Sequence, residues 1–175
     1  LDTDNFERVS NEIVSELGME KTILHVFYPF LNRIGLLWMT NHVIPAQEHF
    51  SSHIIKKKII SATDGLKVDS PQKNNVVIFS PLGELHEIPL LVVNYLFRKK
   101  GIKTTYYGIN VAVESLVYYS RHHSVSHFYT HLITHLDNTR LDNYMCTLCN
   151  HFPDKTILLS GPASDCIQQK QVNLK

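Results

Sequence analysis

The sequence predicts an α/β protein: an N-terminal helical bundle followed by a doubly wound parallel sheet. Two observations carry this. The spacing of apolar residues changes character near residue 70. Beyond that point, short apolar runs of strand length alternate with helical stretches. A third observation permits it. Of 175 residues, 43% are hydrophobic and 19% charged, enough apolar material to build a core.

In the first half the spacing is helical. Phe6, Val9, Ile13 and Leu17 recur at intervals of three and four, with Gly18 placed to end the helix. Ile23, Val26, Phe27, Phe30, Leu31, Ile34, Leu37 and Trp38 continue the pattern in a second helix, with Pro29 a point of kinking. Pro45 suits the first turn of a third helix, which carries Phe50, Ile54, Ile55 and Ile59 and fades at Asp64-Gly65. The polar stretch 67–75 reads as a linker. Residues 1–66 are thus expected as a helical bundle and 76–175 as the sheet domain.

Val76-Val77-Ile78-Phe79 is uniformly apolar, as in a strand buried on both faces. A helix over 90–97, a strand over 104–107, a helix over 113–119, a strand over 125–132, a helix over 137–151 and a strand over 156–159 follow. This alternation gives a Rossmann-like (flavodoxin-like) doubly wound sheet with right-handed crossovers. Such sheets bind ligands at the carboxyl ends of their strands, which draws attention to 80–89 and 160–162. After 156–159 the chain is about one helix and one strand short of a complete unit.

A formal net charge of +1 gives no general electrostatic case for nucleic acid or an anionic membrane. No apolar run reaches the roughly 18–20 residues that span a bilayer. The acidic start, Leu1-Asp2-Thr3-Asp4, has no export-signal pattern, and the missing initiator Met fits a piece of a longer protein. Cys146, Cys149 and Cys166 do not form a disulfide framework, so a reducing cytoplasm is the expected location. The compositional oddity is eleven histidines, the residue most often recruited to metals.

The loop Ser80-Pro81-Leu82-Gly83-Glu84-Leu85-His86-Glu87-Ile88-Pro89 follows the first strand directly and is shaped by Pro81, Gly83 and Pro89. It projects His86 from the sheet's carboxyl edge. Glu84 lies two residues earlier, where a carboxylate can take one ring N–H of a metal-bound imidazole and fix its tautomer. Taken alone, the same residues also suit a solvated helix N-terminus.

Glu84-x-His86-x-x-Pro89 resembles the Asp-x-His-x-x-Gly signature of cobalamin-binding modules. The resemblance implies that His86 is the axial ligand to cobalt, displacing the cofactor's own base. Thr130-His131-Leu132 resembles that family's Ser-x-Leu element, and Ser160-Gly161 its Gly-Gly element. Thr130, Leu132, Ser160 and Gly161 would then line the slot for the displaced nucleotide tail, and Gly108 fits the pattern too. The departures are Glu84 for Asp, Thr130 for Ser, Ser160 for Gly and Pro89 for Gly.

In the helical half, Gly35-x-x-Trp38, nine residues and Glu48-His49 resemble the cap of adenosylcobalamin-dependent MerR-class regulators, whose light-sensing members repress carotenoid genes. The resemblance implies that Trp38, Glu48 and His49 cover the upper face, where the adenosyl group sits. Taken singly, Trp38 suits a helical core and Glu48-His49 a solvated helix start. Where light-sensing relatives carry a His after the Trp, this chain has Met39.

Other candidates are weaker. Cys146-x-x-Cys149 with His151 has half a zinc spacing. His127, His131 and His135 share a strand face but stand too far apart for one metal. His122-His123 suits a helix end. Lys56-Lys57-Lys58 reads as a solvated run. The function expected is a cytoplasmic, non-enzymatic, homo-oligomeric sensor that binds adenosylcobalamin. DNA would be reached only through a winged-helix domain outside this chain. The alternatives are a corrinoid methyl carrier of a methyltransferase system, and a degenerate module that serves in dimerisation without cofactor.

Overall fold

The computed structural model describes residues 2–67, 75–134, 138–166 and 173–175. It divides into two compact units, Leu1–Gly65 and Leu66–Lys175. Residues 68–74, the core of the expected linker, lie outside the described residues, as do His135 and the side chain of Cys166.

The first unit is helical. Helix α1 (Thr3–Leu17) starts where the Asp2 carboxylate accepts from Asn5 N at 3.0 Å. It ends at Gly18, whose φ of 76° suits a residue without Cβ. Then α2 (Met19–Thr22), a π-helical stretch (Ile23–Phe27) and α3 (Tyr28–Met39) follow without a break. The kink expected at Pro29 takes the form of this π stretch, the wider turn coming just before the ring that cannot donate an N–H. Thr40 Oγ1 bonds back to the carbonyls of Leu36 and Leu37 where α3 ends.

Helix α4 (Pro45–Asp64) opens with Pro45 in its first turn and the Gln47 side chain accepting from Ile44 N at 3.1 Å. Ile44 has no side-chain oxygen to return the bond, so only half of a capping box exists. The core of this unit is Met19, Ile23, Phe27, Ile54, Ile55 and Ile59. Phe6 joins Phe30 and Phe50 in ring contacts of 5.5 and 6.2 Å. Val9 and Leu17, expected on the packed face of α1, are exposed. The lysine run is less free than the sequence suggests: Lys57 pairs with Glu7 at 3.0 Å and Lys58 reaches Asn11 Oδ1 at 2.5 Å.

The second unit is a four-stranded parallel sheet in the order β2-β1-β3-β4, from β1 (Asn75–Pro81), β2 (Lys103–Val111), β3 (His127–His131) and β4 (Thr156–Ser160). Helices α5 (Ile88–Lys99), α6 (Val113–His122) and α7 (Asn138–His151) connect them. Strand β1 is buried at every residue, which is why its sequence is uniformly apolar. Val76 and Ile78 pack with Leu90 and Tyr129 on one side. Val77 and Phe79 pack with Leu116, Phe128, Met145 and Leu148 on the other. The helical bundle and this sheet confirm the expected fold class.

Two details add to the sequence reading. Residues 173–175 run parallel to β4, with Ile157 N donating to Asn173 O at 2.9 Å and Lys175 N to Ile157 O at 2.9 Å. The sheet is therefore extended beyond its fourth strand. Strand β2 also continues through Gly108 to Val111, because positive φ angles at Gly108 (85°) and Asn110 (58°) accommodate irregular pairing with β1. Gly108 serves the strand rather than following it. Among the described residues, no helix is long and apolar enough to cross a membrane.

Candidate functional site

From β1 the chain passes to β2 on one side, and β3 lies on the other, so the carboxyl ends of β1 and β3 frame the switch point of this sheet. The loops after both strands meet there. Glu84 is fully buried. Its Oε2 accepts from Ile133 N and Thr134 N, both at 2.8 Å. Its Oε1 accepts from His86 N at 3.0 Å and lies 2.7 Å from His86 Nδ1. Burial pushes the Glu84 carboxyl up, but the N–H groups of His86, Thr134 and Ile133 and the His86 ring outweigh it and hold the carboxyl below its usual value.

The His86 side chain is 52% exposed, and among the described residues all of its ring hydrogen bonds are made by Nδ1. With Nδ1–H donated to Glu84, the Nε2 lone pair is left for a ligand. Thr134 Oγ1 lies 3.2 Å from Nδ1 and 3.3 Å from Glu84 Oε1. Sequence reasoning missed Thr134, although it sits at the one sheet edge where the switch-point rule directs attention.

The loop is also tied to β2. Ser80 Oγ donates to Glu84 O at 2.7 Å, and Asn110 N reaches Ser80 Oγ at 3.3 Å. Asn110 Oδ1 accepts from Gly83 N at 2.9 Å. Asn tolerates the left-handed backbone that this contact requires, and nothing in the sequence singled it out. Pro89 is buried in the first turn of α5, where its lack of N–H is harmless. Leu82 and Leu85, which precede His86 in the loop, are exposed.

At the ends of β3 and β4, Thr130 is fully buried, and its Oγ1 has no hydrogen-bond partner among the described residues. Leu132 is buried too, and its backbone lies against Gly161 so closely that a Cβ there would meet Leu132 O at 2.2 Å. Gly161, with φ of 102°, is thus fixed by chain packing. Ser160 is engaged within the protein: its Oγ lies 2.6 Å from Tyr129 OH and 2.8 Å from His131 Nδ1.

In the helical unit, Trp38 is 50% exposed, with Leu36, Met39 and Ile44 also exposed nearby in sequence. A Trp so placed is not a core residue. Glu48 lies 2.9 Å from His49 Nδ1 and also bonds Ser52 Oγ. Among the described residues no three His, Cys, Asp or Glu are grouped to hold a metal, and Cys149 is buried in α7, so the zinc alternative has no ligand set.

The donor set fits a group that takes one nitrogen ligand, as a corrinoid would. One imidazole, oriented by a buried carboxylate and with its far nitrogen unengaged among the described residues, is what a single-ligand metal site requires. The buried Thr130 hydroxyl is a second polar group without a partner among the described residues.

Comparison with known proteins agrees in kind. Residues 1–61 match the family described as the B12 binding domain. No curated protein matches the chain in sequence. Among solved structures, the monomethylamine corrinoid protein of Methanosarcina barkeri is similar at a TM-score of 0.76 and 13% identity, over 98% of this chain and 88% of that one. A cobalamin-binding protein of Desulfitobacterium hafniense gives a TM-score of 0.46 and 14% identity over 94% of this chain and 80% of that one. The methanol:cobalamin methyltransferase complex of Methanosarcina barkeri gives 0.48 and 13%, over 93% of this chain and 63% of that one. The chain therefore has the fold of a corrinoid protein, and its first 61 residues match the B12 binding domain family.

Proposed function

We propose that this chain binds a corrinoid with His86 as the lower axial ligand, and that it carries the cofactor in a methyl-transfer system. The observation that supports this most is the Glu84–His86 pair, 2.7 Å apart at the switch point, with Nε2 unengaged among the described residues. A bound corrinoid supplies one-carbon transfer chemistry at cobalt. The chain's own part is to hold and orient it. Glu84 fixes the His86 tautomer, and the N–H groups of Ile133 and Thr134 keep that carboxylate ionised. Leu82 and Leu85 are exposed apolar residues of the same loop. The match of residues 1–61 supports cofactor binding, and the name of the Methanosarcina barkeri corrinoid protein favours the carrier role. The partner is then a methyltransferase.

A second reading is the adenosylcobalamin sensor of a transcription regulator, in which Trp38, Glu48 and His49 cap the upper ligand. Half-exposed Trp38 and the Glu48–His49 pair favour it. No comparison points to a regulator, so it stands second.

The test is a visible-absorption titration of the purified chain with methylcobalamin and adenosylcobalamin in the dark. The carrier reading expects binding of both, with affinity for methylcobalamin at least equal. A strong preference for adenosylcobalamin with a spectral change in green light would transfer the claim to the sensor. Binding of neither would overturn both.

A further inference from the structure

Strand β2 grips the His86 loop at two points, one on each side of the histidine. The pairing of β2 with β1 slips between Ile78 and Phe79 and again between Phe79 and Pro81. Near the second slip Asn110 takes a φ of 58°, a left-handed backbone that most side chains avoid. From there Asn110 makes two bonds toward the loop. Its Oδ1 accepts from Gly83 N at 2.9 Å, and its N donates to Ser80 Oγ at 3.3 Å. The direction of the second is fixed, since Ser80 Oγ gives its own proton to Glu84 O at 2.7 Å.

On the far side of His86, Tyr106 OH donates to Glu87 Oε1 at 3.3 Å. Burial, with the Glu87 charge adding to it, pushes the Tyr106 hydroxyl far above its usual pKa, so it remains the donor. The Tyr106 ring packs against the cluster of Val76, Ile78, Leu90 and Tyr129, so the sheet itself holds that hydroxyl in place. His86 thus lies between Gly83, tied to Asn110, and Glu87, tied to Tyr106.

Glu84 orients the ring, but the backbone that carries the ring needs its own support. From Leu82 to His86 only Glu84 is buried. A loop with so little packing is ordered by its hydrogen bonds. Each bond removed admits more arrangements in which the imidazole misses its ligand.

We propose that Asn110, seconded by Tyr106, is a positioning residue that holds the His86 loop in its ligating arrangement and so sets the fraction of bound corrinoid with His86 on cobalt. This rests on the corrinoid reading and deepens it.

The test uses the full chain and methylcobinamide. That ligand has no nucleotide base of its own, so a nitrogen-ligated visible spectrum reports a ligand from the protein. With the site saturated, pH is lowered until that spectrum gives way to the nitrogen-free one, as a proton replaces cobalt on the imidazole. Saturation keeps changes in overall affinity out of this midpoint. Asn110→Gly permits the same left-handed backbone but removes the side-chain bond. It should lower the ratio of ligated to free histidine about fivefold, the size of one net hydrogen bond, and raise the midpoint by about 0.7 pH unit. An unchanged midpoint in a variant with native circular dichroism would overturn the assignment. If Asn110→Gly does not fold, Tyr106→Phe is read in the same way: a raised midpoint is expected, and an unchanged one overturns the assignment. Wild type with no nitrogen-ligated spectrum would overturn the corrinoid reading, and this assignment with it.

Discussion

One oxygen of Glu84 lies 2.7 Å from Nδ1 of His86 while its other oxygen accepts two backbone N–H bonds from the loop after β3. The carboxylate thus joins two strand ends and orients the imidazole. Replacing it with an amide removes the charge but preserves the shape. Glu84→Gln should weaken corrinoid binding by about 10–100-fold, the usual cost of losing an orienting carboxylate. Titration by visible absorption checks this, and unchanged affinity would count against the pair's role.

Burial pushes the His131 imidazole below its ordinary value of 6.5, although the Glu84 charge works against that shift; the His86 charge adds to it. The unfolded chain therefore binds more protons than the folded one between that folded value and 6.5. The His131 contribution is present in full above pH 6.5 and is lost as pH falls through the window below it. Urea unfolding at pH 7.5 and 5.5 should show a smaller pH difference in His131→Gln than in wild type. An NMR titration of His131 with a midpoint at or above 6.5 would contradict this.

Gly161→Ala should destabilise the fold by about 2–3 kcal/mol. Its φ of 102° disfavours any side chain, and the new Cβ would meet the Leu132 backbone. Chemical denaturation measures the loss.

Thr130→Val removes a buried hydroxyl that has no partner among the described residues. The free protein should gain about 1 kcal/mol, since the variant no longer buries an unsatisfied polar group. If the hydroxyl meets the ligand, the same variant should bind corrinoid more weakly. Thermal melts with and without ligand separate the two effects.

Much of this was legible in the sequence, and for physical reasons. The apolar run Val76–Phe79 marks a strand buried on both faces, and the alternation after it fixes a doubly wound sheet. Glu84 and His86 are close in sequence, so their pairing could be read from spacing. Thr134 and Asn110 could not, because each reaches the loop from a different strand end. Ser160 was read as lining a slot, yet its hydroxyl is bonded to Tyr129 and His131. Cross-strand register decides that, and spacing within one segment does not reveal it. Trp38 looked like either core or cap, and only its exposure excludes core.

His86 Nε2 is proposed to bind cobalt. The most direct test is electron paramagnetic resonance of the cobalt(II) form, with protein grown on ordinary and on 15N-labelled histidine. Nitrogen superhyperfine splitting should change with the label and be absent in His86→Ala. Splitting indifferent to the label would place the cofactor's own base on the metal and contradict the account.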